Sequence, residues 1–371
     1  MRLHTIHQCR AWYPPAAWSN CNMFSAETIF CRDWPPAIPA RPGLPPALWG
    51  RRCHGSTIVE LRNGDLLAAW YEGSYETASD VVIAGARHPA GEQTWSPVHV
   101  LAATPGHSEG NPVLFVAPDG MLWLFYATMY GPTWNMCKLK YKTSADNGYT
   151  WSEPVVLHDE LGWLYRNKAI VLSSGRIVLP IYDEAHLHSL MLLSDDNGKS
   201  WRPSAPIFSS PPNIHPTVVE LSDGSLLCYM RYFASGLGHV AVGQGHIWQA
   251  RSWDGGQTWT TATPTNLKNP NSGIDLVKTA SGNLILAFND SYDRRTPLNL
   301  VLSEDEGKTW PHQRIVESGD GDFAYPWLIQ TRDGLLHLTY SYRYQTIKHV
   351  VCDEEWIKAY QEEKSHGRQA S

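Results

Sequence analysis

Six stretches of the chain place polar or charged residues immediately ahead of an apolar run. They carry His54, Glu109 with Asn111, Arg166 with Lys168, His215, Asn271 with Asp275, and Tyr325. Imidazole moves protons near neutral pH, and guanidinium and ammonium groups hold anions. Taken together, such groups suit a polar, acidic ligand and proton transfer to or from it; taken singly, each could line a solvent-filled axis and bridge water. Asn271, in NPNSGID, could also shape a tight entry into its strand. His186 and His188, in DEAHLHS, share a strand face through their i,i+2 spacing and with Asp183 could ligate a metal, although a rim loop is the plainer expectation. His107, Trp134 and Trp163 fall between strands, where they would wall a pocket or pack beneath a loop.

The elements that must position these residues are visible as a repeat. Apolar run, turn and apolar run recur in STIVELRNGDLLAAWYE, NPVLFVAPDGMLWLFYA, KAIVLSSGRIVLPIYD, PTVVELSDGSLLCYMRY, IDLVKTASGNLILAFND and PWLIQTRDGLLHLTYSY. The turn glycines Gly64, Gly120, Gly175, Gly224, Gly282 and Gly334 fall 49–58 residues apart, at positions where a hairpin needs φ > 0. A second motif interleaves with the first: SADNGYTW, SDDNGKSW, SWDGGQTW and SEDEGKTW, with a degenerate GEQTW ending at Trp95. Asp and Ser side chains close such a turn, Gly takes the left-handed position, and Trp folds back beneath it. Six repeats of about 50 residues, each worth four strands, predict an all-β, six-bladed β-propeller. We expect the propeller over 25–355, a non-periodic N-terminal extension over 1–24 and a tail over 356–371. SAETIF at 25–30 could pair with the last blade and close the ring.

Composition excludes several function classes. The net charge is −6 and no Lys/Arg run occurs, which argues against a nucleic-acid partner. No apolar stretch approaches 18 residues, so no membrane span is expected. The N-terminal residues show no apolar signal region and the seven cysteines form no CxxC pair or metal spacing. These features lead to an expectation of reduced thiols, no cofactor and a cytoplasmic location, with secretion open if a leader was removed. Oligomeric state is left open.

The Ser-x-Asp-x-Gly-x-Thr-Trp turns are the Asp-box, or BNR, motif. With the six hairpins they make nearly all of 50–352 resemble the sialidase superfamily, in a divergent branch marked by Cys-His-x-Ser-Thr-Ile, Asn-Pro-Asn-Ser-Gly-Ile-Asp and Tyr-Pro. The resemblance implies three arginines for a substrate carboxylate, a nucleophilic Tyr with a Glu partner, and an acidic acid/base. Tyr325, in AYPWL, is similar to the nucleophile. Arg231, ending CYMR, is similar to the second arginine; Arg295 resembles the third, with Arg294 an equally close candidate. Two departures stand out. His54 occupies the place of the first arginine, within CHGST in place of an Arg-Ile-Pro motif, and His215 the place of the Glu partner. For the acid/base, the loop EGSYETASD offers Glu76 and Asp80, the latter also readable as a strand-start turn residue.

Three readings follow. In the first, an exo-acting glycoside hydrolase of sialidase type binds an acidic sugar of a glycan through Arg231 and Arg295, with Lys168 or Arg166 as a further cation. Tyr325 attacks the anomeric carbon with His215 as base, and Glu76 or Asp80 protonates the leaving oxygen. In the second, a lyase eliminates at a uronic acid using His54, His215, Tyr325 and Arg231. In the third, the propeller binds glycans without catalysis.

Overall fold

The computed structural model describes residues 23–30, 52–233 and 245–359. Of the extension expected at 1–24 only Met23 and Phe24 are described, and of the tail expected at 356–371 only residues up to 359. The described chain is all-β apart from one 3-10 turn, Trp134–Met136, and a short helix at 354–359.

Strand β1, Phe24–Thr28, precedes six consecutive antiparallel sheets arranged as a six-bladed propeller. Blade 1 holds β2 (Arg52–Glu60), β3 (Leu66–Gly73), β4 (Val82–His88) and β5 (His99–Ala102). Blade 2 holds β6 (Glu109–Val116), β7 (Leu122–Met129), β8 (Cys137–Ser144) and β9 (Val155–His158). In blade 3 the innermost strand is split into β10 (Trp163–Tyr165) and β11 (Ile170–Val171), both paired with β12 (Ile177–Asp183), followed by β13 (His188–Ser194) and β14 (Arg202–Pro203). Blade 4 comprises β15 (Asn213–Glu220), β16 (Leu226–Tyr232), β17 (His246–Ser252) and β18 (Thr263–Lys268). Blade 5 comprises β19 (Asp275–Lys278), β20 (Leu284–Asn289), β21 (Leu298–Ser303) and β22 (His312–Glu317). Blade 6 takes β23 (Phe323–Gln330), β24 (Leu336–Tyr342) and β25 (Thr346–Cys352) from the end of the chain, and its outer strand is β1, antiparallel to β25.

The second strand of each blade is sandwiched between neighbouring blades, which is why its sequence reads as a near-continuous apolar run: β3, β7 and β16 are buried at every residue. One end of the molecule is made of tight turns. In the hairpins, the N–H of the turn glycine donates to the carbonyl three residues back, as from Gly64 to Leu61 at 3.0 Å, and the glycine takes φ between 80° and 90°. The Asp-boxes use the same end. Asp146 accepts from Ser144 Oγ (2.7 Å) and from Thr150 N (2.8 Å), while Gly148 N donates to Ser144 Oγ at 2.8 Å; the pattern repeats at Asp196, Asp254 and Asp305. The box tryptophans bind each blade to the one before it. Trp201 meets Trp123 edge-on at 6.4 Å, and Trp310 lies 6.1 Å from Tyr229. The inner-strand starts and the loops between second and third strands gather at the opposite end, and these carry the site.

Candidate functional site

The floor of the site is built from a repeated backbone irregularity. The ladder between first and second strands slips at four equivalent places, between His54 and Thr57, Gly110 and Val113, Ile214 and Thr217, and Ala324 and Trp327. Each bulge carries a left-handed residue at the same position: Gly55 (φ +63°), Asn111 (+49°), His215 (+55°) and Tyr325 (+56°). Pro follows the last three and cannot donate to the ladder. A bulge with a left-handed residue re-aims the side chain, here towards the axis. For His and Tyr this conformation is strained, by about 1–3 kcal/mol each, and must be imposed from outside.

Blade 3 imposes it. Between β10 and β11 residues 166–169 leave the ladder, and two adjacent side chains cross the axis. Arg166 Nη2 donates to the carbonyls of Tyr325 (2.9 Å) and Pro326 (3.4 Å), and Nη1 to that of Ser56 (3.4 Å). Asn167 Nδ2 donates to the carbonyls of His215 (3.3 Å) and Pro216 (2.9 Å). Carbonyls left unpaired by the bulges are thereby satisfied, as buried carbonyls must be. Arg166, expected to bind substrate, is fully buried and holds the backbone of Tyr325 instead.

Tyr325 lies at the centre. Its ring faces three guanidinium groups, at 4.8 Å (Arg166), 5.4 Å (Arg295) and 5.8 Å (Arg231) from the centroid, and Arg231 Nη1 donates to its hydroxyl at 2.8 Å. Two imidazoles flank it, His54 at 4.1 Å and His215 at 5.4 Å between centroids. Asn271, also left-handed (φ +57°), orients both arginines: its Oδ1 accepts from Arg231 Nε at 2.8 Å and its carbonyl from Arg295 Nη2 at 3.2 Å. Arg295 Nη1 donates to Tyr344 Oη at 2.5 Å, and Arg52 stacks over the Tyr344 ring at 5.0 Å. His54 Nδ1 pairs with Ser341 Oγ at 2.8 Å, and His215 Nδ1 lies 3.4 Å from Arg231 Nη1.

Burial and positive neighbours set the charge states. Desolvation, followed by Arg295, Arg166 and Arg52, holds His54 well below the usual imidazole range; desolvation and then Arg231 do the same to His215. Both rings are neutral at neutral pH. Burial works against the charge of Arg295, but Tyr344, Tyr325, Asp322 and Glu76 hold its pKa above the ordinary value. Burial, with Asp322, Glu76 and Tyr325 adding to it against the pull of Arg295, pushes Tyr344 up to about 12.

Two carboxyl groups face this floor. Glu76, in the β3–β4 loop, is raised by burial despite Arg295 and a hydrogen bond from Trp134 Nε1 at 3.1 Å. Glu184, in the β12–β13 loop, is raised to about 7 by burial and by Asp183 and Glu76, against the pull of Arg231. Asp80 does not join them: its carboxylate accepts from Ser74 N and Oγ and closes the loop, the turn role open to it in the sequence.

Other expected site residues are placed elsewhere. Lys168 Nζ is spent on Asp275 at 2.5 and 2.6 Å, and Asp275 also accepts from Leu328 N and Thr217 Oγ1, so this pair pins inner strands together and holds no free cation. Arg294 is exposed and borders a cavity of about 360 Å³ with Asp293, Asp320 and Asp322; Arg295 and Asn271 line the same cavity, and Arg295 also reaches Tyr344. Glu109 is buried against Thr128 Oγ1 at 2.5 Å; Asn111 donates to Tyr182 Oη at 3.2 Å. His186 pairs with Asp183 (2.9 Å) and its ring lies 6.2 Å from His188. Among the described residues no group of three His, Cys, Asp or Glu could hold a metal. His107 bonds the Met129 carbonyl, and Trp163 stacks on His158 at 3.8 Å.

Sequence reasoning passed over Arg52, Asn167, Glu184 and Tyr344. Arg52 and Asn167 adjoin motifs already singled out, and Glu184 lies inside the DEAHLHS stretch read only for its histidines. Tyr344 belongs to a turn whose two residues, Arg343 and Tyr344, both take positive φ, which nothing in TYSYRYQT announces.

Comparison with known proteins agrees with this architecture. The chain is 27% identical over 231 residues to a sialidase of Micromonospora viridifaciens, covering 56% of this chain and 34% of that protein. It is 24% identical over 192 residues to the anhydrosialidase of Macrobdella decora, covering 45% and 23%. The chain thus spans about a third or less of these relatives' length. Among solved structures, a Hadza microbial sialidase, Hz136, superposes with a TM-score of 0.70 at 21% identity, over 82% of this chain and 66% of that one. The intramolecular trans-sialidase of Ruminococcus gnavus gives 0.67 at 15% identity, over 82% and 95%. At these identities the superpositions establish the fold. The description of the BNR repeat-like domain matches residues 64–338, from the first hairpin turn into the last blade, and the chain belongs to that family.

Proposed function

We propose that the protein is an exo-acting, sialidase-type glycosidase that releases a terminal carboxylate-bearing sugar from a glycan. The observation that carries this reading is the placement of Tyr325 between Arg231 and Arg295, with Arg231 donating to its hydroxyl at 2.8 Å. A guanidinium pair matches a carboxylate, and Arg231 stabilises a developing phenolate. Arg52 supplies positive charge two residues from the place where His54 stands for an arginine. Sialidase names among the relatives support the same class.

In this mechanism the sugar carboxylate lies on Arg231 and Arg295. Tyr325 oxygen attacks the anomeric carbon as the glycosidic C–O bond breaks. The phenolic proton passes to neutral His215, and Glu76 gives its proton to the departing oxygen. Water then attacks the anomeric carbon, Glu76 recovers a proton from it, and Tyr325 leaves, regaining its own from His215. Burial lowers the imidazole and raises the carboxyl, which brings both working states together: activity falls in acid as His215 charges and falls at higher pH as Glu76 ionises.

A β-elimination reading draws on one feature, two neutral imidazoles beside a Tyr with no carboxylate partner. Incubation with sialylated and uronate-containing glycans in oxygen-18 water separates the two. Hydrolysis gives a free acidic sugar carrying the heavy label. Elimination gives an unlabelled product lighter by one water that carries a carbon–carbon double bond conjugated to the carboxylate and absorbs in the ultraviolet, which overturns the glycosidase reading. An unlabelled product lighter by one water without that double bond is an anhydro sugar, formed by attack of the sugar's own hydroxyl, and keeps the glycosidic-cleavage reading.

A further inference from the structure

We infer that Trp134 is the positioning residue of the acid, fixing the orientation of the Glu76 carboxyl across a blade boundary so that its acidic O–H faces the leaving group. The inference rests on the reading of Glu76 as proton donor. Trp134 belongs to blade 2, on the 3-10 turn of the β7–β8 loop, whereas Glu76 belongs to blade 1. The indole Nε1 donates to Glu76 Oε1 at 3.1 Å. Indole nitrogen only donates. When Glu76 is protonated, that bond engages its carbonyl oxygen and leaves the acidic O–H free to point at substrate.

The indole is held in place by more than this bond. It meets Tyr71 of blade 1 edge-on at 6.0 Å. Its six-membered ring lies against the backbone of Gly110, where an added Cβ would stand 2.6 Å from both Cη2 and Cζ3. Gly110 does not have a left-handed φ, so the glycine is required by the close approach of the ring and by nothing in the backbone. It precedes Asn111 in a bulge of the site floor, and the same irregularity that lines the axis also seats the tryptophan. A neutral donor to a carboxyl favours its ionised form, while burial opposes that form. Trp134 therefore limits how far the Glu76 pKa rises.

The test compares Trp134→Phe, Gly110→Ala and Glu76→Gln on two sialosides, 4-methylumbelliferyl sialoside, whose leaving group needs little protonation, and sialyllactose, whose leaving group needs it fully. Trp134→Phe should lose about tenfold or more in kcat on sialyllactose, part of the range expected of general acid catalysis. It should lose under about threefold on the aryl substrate, and its basic limb should move to higher pH. Gly110→Ala, which displaces the ring, should show the same selective loss. Equal losses on both substrates, or an unmoved pH limb, overturn the proposal. If Glu76→Gln treats both substrates as the parent protein does, the acid assignment itself fails; if it shows the selective loss and Trp134→Phe does not, only the positioning role fails. A readout independent of turnover is the pH titration of tryptophan emission, since a protonated carboxyl quenches an adjacent indole. The step should be present in the parent protein and absent from both Trp134→Phe and Glu76→Gln; a parent protein with no such step overturns the proposal.

Discussion

The two ends of the propeller use the same backbone conformation for opposite purposes. At the turn end each hairpin between first and second strands carries a left-handed glycine, as at Gly64 and Gly334, and the Asp-boxes add a left-handed Asn147, Asn197 or Glu306 ahead of theirs. At the site end the equivalent bulges hold Gly55, Asn111, His215 and Tyr325 in that region, and Asn271 ahead of β19 adopts it as well. Glycine adopts it without penalty; histidine and tyrosine do not. The turn end is thus selected for closure, with Ser and Asp side chains satisfying its amides. The site end accepts strain in order to aim polar groups down the axis, and Arg166 and Asn167 offset that strain from the far side. Stability and function are segregated along the propeller axis.

The sharpest break in that comparison is Tyr325→Phe. It keeps the ring, the left-handed backbone and the Arg166 contacts while removing the hydroxyl bonded to Arg231. We expect turnover to fall by about 10³-fold with an unchanged melting temperature; undiminished turnover removes Tyr325 from the chemistry. At the turn end, Gly198→Ala should do the reverse. Its φ is +86° and a Cβ would stand 2.8 Å from Trp123 Cζ2. The strained backbone alone costs about 1–2 kcal/mol, so thermal unfolding should occur several degrees lower, with kcat of the folded fraction unaffected. Asn271→Gly sharpens the contrast at one residue. Glycine suits φ +57°, so stability should hold within about 0.5 kcal/mol, but Arg231 loses the acceptor of its Nε, and kcat/KM should fall about tenfold. The smallest effect concerns the seam between blades 6 and 1, where His337 Nδ1 and His349 Nε2 lie 2.9 Å apart and Glu27 accepts from His349. Burial, then His349, hold His337 at about 3, with Asp333 and Glu27 opposing and His88 adding to the depression. A histidine depressed in the folded state is charged more readily when unfolded, so stability drops as pH falls from about 6.5 towards 3. Chemical denaturation across that range should show a shallower loss in His337→Phe than in the parent protein; an identical slope excludes this histidine as the source.

Much of this was readable in the chain because the determinants are local. Turn glycines give the blade number, and Ser, Asp, Gly and Trp within eight residues encode each Asp-box. The Tyr-Pro and His-Pro pairs mark two of the bulges, since proline cannot serve the ladder. What escaped depends on partners distant in sequence. KAIVLSSGRIVLP reads as an ordinary hairpin, yet its first strand is broken because Arg166 is committed to carbonyls 159 and 160 residues away. Lys168 looks available until Asp275, 107 residues on, is placed beside it. Glu184 gains its raised pKa from burial, with Asp183 and, from another blade, Glu76 adding to it and Arg231 opposing, and no pattern within DEAHLHS conveys that.

The ring is closed by hydrogen bonds rather than by chain. Strand β1 clasps β25, Glu27 ties Trp95 of blade 1 to His349 of blade 6, and Phe24 stacks on Trp356 at 4.5 Å. Inside this clasp, Arg166 spans from blade 3 to the carbonyls of blade 6 like a spoke joined to a hoop. A hoop slackened at its clasp loses tension in its spokes, and the first group to move is the backbone that holds Tyr325 in its left-handed state. On the proposed mechanism, turnover becomes a gauge of circumferential integrity: a circular permutant that shifts the clasp to another blade while keeping the hoop closed is expected to retain its centre, whereas removal of β1 is expected to lower turnover at a site whose own residues are untouched.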